Sequence, residues 1–404
     1  FRMPVFTSSI EVTADYPTIK PSLNLNFARS RALDPRITFT RASVGTYVGR
    51  DGLIKTASVN EPRFDHDLDT LESLGLLIEE SRTNVYPNNH DPASGTSGTA
   101  TKTTVQIVLP SGETGPALET AADAFAENYR NLTASSNTTP GHLTLYAKKK
   151  TSGSTGTLTI TLEGGGTGRT FGDFSINSDT WTKITHTHDW SSSNSTLRRF
   201  DAFLQTANSS DSDTSFYLAF IQFEDGNFPT SYIPTSGSNA TRSADNAEIM
   251  YDGWYNNYSS IKPSTFVGKF QTYNLSSTRI VAEGANASNF KDFSMNTMSN
   301  STELQFVHRY TTDNSYDNSE GANITVNTPV TFAFSYDGTG GDITGSANGS
   351  TPIVGTDDLG VIQSGGDRMR IGSRGNNSLY LNGTISELRY YKFKASSAQL
   401  LLLQ

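Results

Sequence analysis

The stretch Leu158-Thr159-Ile160-Thr161-Leu162 decides the fold class. Apolar and hydroxyl side chains alternate strictly along it, which puts one set on each face of an extended strand, one face buried and the other wet. The same period of two recurs upstream at Val105, Ile107 and Leu109, and at Leu143 and Leu145. Thr151-Ser152-Gly153-Ser154 and Gly164-Gly165-Gly166 punctuate these runs as turns. From Phe216 to Phe223 the chain is apolar on both faces, as a central strand covered on each side requires. Further along, 265–270, 279–282, 303–310, 330–336, 368–371 and 385–393 read as strands, with turns at Asp337-Gly338 and Gly340-Gly341. Helical periodicity is nearly absent. Thr120 to Tyr129 is one candidate. Ser396 with Gln399 forms a capping-box pattern opening one turn through 400–403, whose leucines are expected to plug the end of a sandwich.

These patterns predict an all-β chain: an extended N-terminal arm, 1–85, followed by two antiparallel β-sandwich (jelly-roll) domains at 86–246 and 247–404. Pro4, Pro17, Pro21, Pro35 and Pro62 break the arm into short extended pieces. Asp51-Gly52 between Tyr47-Val48 and Leu53-Ile54 predicts a hairpin, and 74–78 a buried strand or packed edge. The arm has little core of its own and would leave strand edges open. It is therefore expected to pack on another subunit or particle component, and the chain to form a closed homo-oligomer, a trimer.

The 404 residues include 34 Gly and no Cys. Absence of cysteine excludes a disulfide framework, a zinc–thiolate site and a thiol nucleophile. A net charge of −9 argues against a phosphate-backbone partner. The longest basic run, Lys148-Lys149-Lys150, reads as the guard of a strand edge. No apolar run approaches the ~18 residues of a membrane span, so neither membrane insertion nor nucleic-acid binding is expected. The numbering starts at Phe1, and the chain is read as a processed or partial one without a visible signal peptide.

Three stretches carry a resemblance. The first, Leu23 to Asn84, contains LNFARSRALDPRITFTRASVGTYVGRDGLIKTASVNEPRFDHD and SLGLLIEESRTN. It resembles the recurrent N-terminal segment of tail and fibre structural proteins of tailed phages. The second, FEDGNFPTSYIPTSGSNATRSAD from Phe223 to Asp245, resembles the last strand and exit linker of the carbohydrate-binding-module-like domain that follows this segment in such proteins. The third, RMRIGSRGNNSLYLNGTISELRYYKF from Arg368 to Phe393, resembles the closing strands of concanavalin A-like (laminin-G-like) lectin and glucanase sandwiches. The resemblance implies an external virion appendage, assembled in the host bacterial cytoplasm. Its arm would contact other virion proteins and its sandwiches host-surface polysaccharide. A purely structural decoration protein is one alternative; a polysaccharide-degrading glycosidase is the other.

The residues themselves favour binding over hydrolysis. Glycoside cleavage needs two carboxylates about 5–9.5 Å apart, whereas Glu303 and Glu387 each stand alone in their strands and Glu224-Asp225 point to opposite faces. No G-x-S-x-G elbow or phosphate-binding loop is present. Sugars stack on aromatic rings, which singles out the three Trp. Trp190, at a strand end, and Trp254, in the linker, are the glycan-contact candidates, while Trp181 reads as core. His188 shares a strand face with His186 and Trp190, so it joins the glycan candidates; the two His alone make an incomplete metal pair. Asp211 and Asp213 read as a solvated turn that could also supply oxygens to a structural Ca²⁺. No other cofactor is expected.

Overall fold

The computed structural model describes residues 17–96, 101–121, 129–133, 140–164, 167–189, 197–204, 215–226, 228–255, 262–286, 291–299, 302–309, 316–320, 324–337, 343–355 and 366–404. The protein is all-β, and among the described residues helix is limited to Phe27–Ser30 and Ser397–Leu403. The chain divides into two compact units, one of 39–246 with 382–384, the other of 1–38, 247–381 and 385–404.

In the first of these, a five-stranded antiparallel sheet runs in the order Thr182–His188, Gly141–Lys149, Ser215–Asp225, Thr114–Ala121, Thr101–Val108. A four-stranded sheet orders Tyr129–Thr133, Leu197–Leu204, Thr155–Gly164 and Thr167–Asn177. Leu158, Ile160 and Leu162, the alternating apolar set, meet Leu143, Leu145, Ile184, Phe216, Leu218, Ile221 and Phe223 in one buried core. Ser215–Asp225 is the central strand, as its two-faced apolar character requires. Thr120 and Ala121 close a strand and Tyr129 opens another, so the helix read over 120–129 is absent at its described ends; 122–128 lie outside the described residues.

The expected hairpin pairs Gly45–Val48 with Ile54–Ala57, and Gly52 takes φ 73° at its turn, a conformation glycine adopts without steric cost. Residues 39–85 fall within the 39–246 unit rather than standing apart as an arm, and Ile54, Ala57, Leu76, Leu77 and Ile78 are buried.

In the other unit, one sheet orders Ile353–Gly355, Ile343–Ala347, Val330–Tyr336, Ser264–Thr272 and Gly383–Tyr391, with Leu23–Asn26 also paired to Gly383–Tyr391. A second contains Asn246–Met250, Arg368–Ile371, Arg279–Ala285, Lys291–Thr297, Leu304–Arg309 and Tyr316–Glu320 in that order. Leu23, Leu25 and Phe27 are buried here, so this part of the N-terminal segment supplies core as well. Ser396 and Gln399 form a complete capping box on Ser397–Leu403. Of the four leucines, Leu400 and Leu403 are buried, while Leu401 and Leu402 face solvent.

Candidate ligand-binding cleft

The central strand is irregular at one point, and the irregularity places an aromatic ring. Against Gly141–Lys149, Gln222 pairs with Thr144 and Ala219 with Tyr146, so Phe220 and Ile221 together oppose Leu145. This is a β-bulge, which reverses the inward–outward alternation beyond it. Phe216 and Leu218 point into the sandwich core before the bulge, and Ile221 and Phe223 after it. Phe220, with φ 51°, is released to the opposite side, where it joins a second cluster with Leu109, Ala117, Ala219 and Trp181. A left-handed backbone at a bulky residue is uncommon and marks sites held by their surroundings.

Phe220 stacks on Tyr232, centroids 4.4 Å apart and planes within 8°. The pair lines an open cleft of about 470 Å³, within the ~300–1,000 Å³ of small-molecule sites. The hairpin contributes Thr46, Ile54, Lys55 and Thr56; the 109–116 segment gives Leu109, Ser111, Glu113 and Pro116; Asn89, His90, Pro234 and Thr235 complete the lining. Burial pushes the Tyr232 phenol upward, so its O–H remains a donor. An aromatic pair amid hydroxyl, amide and sparse charged groups suits a ligand with both apolar and hydrogen-bonding surfaces.

The hairpin beside this cleft is held by side chains. Arg63 Nη1 donates to Thr46 O at 2.9 Å, Val48 N–H donates to Asp65 Oδ1 at 2.7 Å, and Thr46 Oγ1 donates to Tyr232 O at 2.6 Å. Burial pushes the Asp65 carboxyl up to about 6, against the Val48 hydrogen bond that lowers it. Behind lies a buried ionic network. Arg63 bridges Glu79, at 2.8 Å, and Asp245; Arg41 pairs with Asp245 at 3.0 Å; Arg242 lies 3.5 Å from Glu79. Burial opposes ionisation of Glu79, but Arg242 and Arg63 prevail and hold it down at about 2.

Of the residues anticipated from the sequence, Trp254 and His188 do not line this cleft. Trp254 is 2% exposed. Its indole N–H donates to Met250 O at 2.6 Å, and its ring packs edge-on against Tyr251 and Tyr390. It is a core residue with no ring face left for a sugar. His188 is also buried, its Nδ1 3.2 Å from Thr170 Oγ1, and it belongs to the other unit from Trp254. His186 sits edge-on to Phe174, and burial pushes its pKa down. Trp190, Asp211 and Asp213 lie outside the described residues. Among the described residues no cluster of three His, Asp or Glu is placed to hold a metal ion. Trp181, read as core, is partly buried in the Phe220 cluster, its Nε1–H donating to Val108 O at 3.1 Å. The carboxylate of Glu224 is buried and accepts from Thr230 N–H at 2.9 Å and Gln222 Nε2 at 2.8 Å, a structural use. Sequence reading missed Phe220, Tyr232 and Asn89; the signal available was the unbroken apolar run around Phe220.

No family model and no curated protein matches the chain. Among solved structures, it is similar to the CBM40 of a Ruminococcus gnavus IT-sialidase bound to α2,3-sialyllactose, at 15% identity and a TM-score of 0.32, over 38% of this chain and 88% of that one. A SAP-like pentraxin from Limulus polyphemus matches at 15% identity and TM-score 0.29, over 35% and 69%. The CBM22-1 xylan-binding domain from Paenibacillus barcinonensis matches at 10% and 0.27, over 37% and 94%. Scores this low do not superpose one site on another, and the fold assignment rests on the strands described above.

Proposed function

We propose that this chain is a non-catalytic, saccharide-binding component of a tailed-phage appendage, presented in several copies, most simply as a trimer, to the surface of a bacterial host. The observation that carries the binding role is the cleft with its stacked Phe220–Tyr232 pair and mixed polar lining. A sugar ring offers a matching pair of surfaces, an apolar C–H face and a rim of hydroxyls. Among the described residues lining the cleft, Glu113 is the one carboxylate, which supports binding over hydrolysis, since hydrolysis employs two. The virion assignment is supported by the resemblance of Leu23 to Asn84 and Phe223 to Asp245 to phage tail and fibre segments.

The test is adsorption of the purified full chain to host-envelope polysaccharide, with a parallel assay for released reducing ends. Saturable adsorption weakened by Tyr232→Ala, without release, is the expected result. Release of reducing ends abolished by Glu113→Gln would convert the reading to a glycosidase. Absence of adsorption would leave a purely architectural virion protein.

A further inference from the structure

The bulge that carries Phe220 is gripped mainly by Asn89, with Asn84 Nδ2 adding a longer 3.2 Å bond to Ile221 O. Asn89 Oδ1 accepts from Ile221 N–H at 2.9 Å, and Asn89 Nδ2 donates to Ile221 O at 2.8 Å. The amide thereby takes both polar groups of the residue that follows Phe220, as a neighbouring strand would. Its orientation is itself determined. Thr235 Oγ1 donates to Tyr86 O at 2.7 Å, so it meets Asn89 as an acceptor, and Asn89 Nδ2 lies 2.9 Å from it. That leaves Oδ1 for the Ile221 N–H. Asn89 is 8% exposed and Ile221 fully buried, so water does not readily replace these bonds.

We propose that Asn89 is a positioning residue of the cleft: by clamping both peptide groups of Ile221 it holds Phe220 in its left-handed conformation and so builds the stacked Phe220–Tyr232 pair. The proposal rests on the cleft being the saccharide site, but its structural half can be read without any ligand. Register explains why a clamp is needed. Phe216 and Leu218 are buried on one side of the bulge, Ile221 and Phe223 on the other. Smoothing the strand would turn one of those pairs out of the core. The bulge is therefore kept, and loss of the clamp falls on its least stable member, the left-handed Phe220.

The experiment uses Asn89→Ala, Phe220→Ala and the double variant in the full chain. The first readout is the upfield ring-current shift of the Tyr232 ring protons in an aromatic NMR spectrum without ligand. It is expected in the native protein and lost in both single variants. A folded Asn89→Ala protein that keeps the shift would overturn the proposal. The second readout is binding to cellotetraose, maltotetraose, mannotetraose and chitotetraose. Each single variant is expected to weaken binding by about tenfold, and the double variant no further than Phe220→Ala alone. Multiplicative losses would show Asn89 acting independently of Phe220 and overturn the proposal. If the native protein binds none of these sugars, the saccharide reading fails for this panel, while the ring shift still decides the role of Asn89. If Asn89→Ala does not fold, Asn89→Asp, which keeps the acceptor and loses the donor, takes its place with the same expected outcomes.

Discussion

Arg41 Nη1 lies 3.0 Å from Asp245 Oδ1 with both side chains fully shielded from solvent, although 204 residues separate them in the chain. Asp245 also receives Arg63 and, through Oδ2, the backbone N–H of Glu79 at 3.0 Å. One carboxylate thus ties the residues around 41, 63 and 79 to the segment that leaves the sandwich.

Removing that carboxylate strands buried guanidinium groups. Asp245→Ala is expected to cost about 3–5 kcal/mol, because an uncompensated buried charge loses far more than a pair contributes. Asp337→Ala, which breaks a pair with Lys394 whose side chains are 33% and 52% exposed, is expected to change stability by no more than about 1 kcal/mol. Denaturant unfolding of both variants checks the contrast. Equal effects would mean that the network carries no structural weight.

This network explains what was legible in the sequence and what was not. The motif stretches 23–84 and 223–245 stand out as strings, and their charged members, Arg41, Arg63, Glu79, Arg242 and Asp245, converge on one buried site. Reading them locally, one sees short extended pieces without a core, because key partners lie 162 to 204 positions away. Strand alternation, the Asp51-Gly52 hairpin and the Ser396 capping box were legible because each is set by near neighbours. The cleft was not. Phe220 sits where alternation reverses, and a run such as Leu218-Ala219-Phe220-Ile221 announces a covered strand without telling where a bulge falls. Trp254 drew notice as a ring near a presumed linker, yet only the tertiary packing of Tyr251, Tyr255 and Tyr390 shows it to be core.

Stability is expected to peak near pH 5. Asp65 has its folded pKa raised from 3.8 to about 6, so its ionised form opposes folding. That penalty, up to about 3 kcal/mol, is full above pH 6 and fades as pH falls toward 3.8. Glu79 acts oppositely. Its folded pKa of about 2 lies below the ordinary 4.5, so its contribution is complete above pH 4.5 and is lost as pH falls toward 2. Denaturant midpoints should therefore rise from pH 7 to 5 and drop steeply below 4. Asp65→Asn should flatten the rise and leave the acid limb intact; an unchanged rise in that variant would remove Asp65 as its origin.

Gly226 in the FEDGNF stretch adopts φ 141°, and a Cβ there would clash with the Arg82 guanidinium. Arg82 is fixed by Glu80 at 2.8 Å and lies 4.5 Å from the Phe228 ring centre. Gly226→Ala must therefore displace this guanidinium as well as strain its own backbone. The expected loss exceeds the roughly 1 kcal/mol typical of a point mutation. Combining it with Arg82→Ala should recover part of the loss, as a thermal-melt double-mutant cycle would reveal.

On the proposed display in several copies, the purified chain is expected to scatter light as a closed homo-oligomer, a trimer, at micromolar concentration. Weak single-site sugar binding would gain roughly 10²–10⁴ in avidity from such linkage. A monomer that adsorbs to host-envelope polysaccharide as strongly as an oligomer would remove the reason for the proposed multivalent display.

The Phe220 series tests the bulge by reversing an ordinary preference. In a regular strand, glycine is less stable than alanine by about 0.5–1 kcal/mol, because it loses more backbone freedom on folding. At φ 51° the balance turns, since a Cβ in the left-handed region costs roughly 1–2 kcal/mol that glycine does not incur. Both substitutions remove the same ring and the same stack on Tyr232, so the aromatic loss cancels in the comparison. Phe220→Gly is therefore expected to be more stable than Phe220→Ala by about 1 kcal/mol, while both lose saccharide binding to the same degree. Urea midpoints of the two variants, measured side by side, decide the matter. Should alanine prove the more stable, Phe220 does not hold a left-handed bulge in solution, and the clamp assigned to Asn89 has nothing to hold.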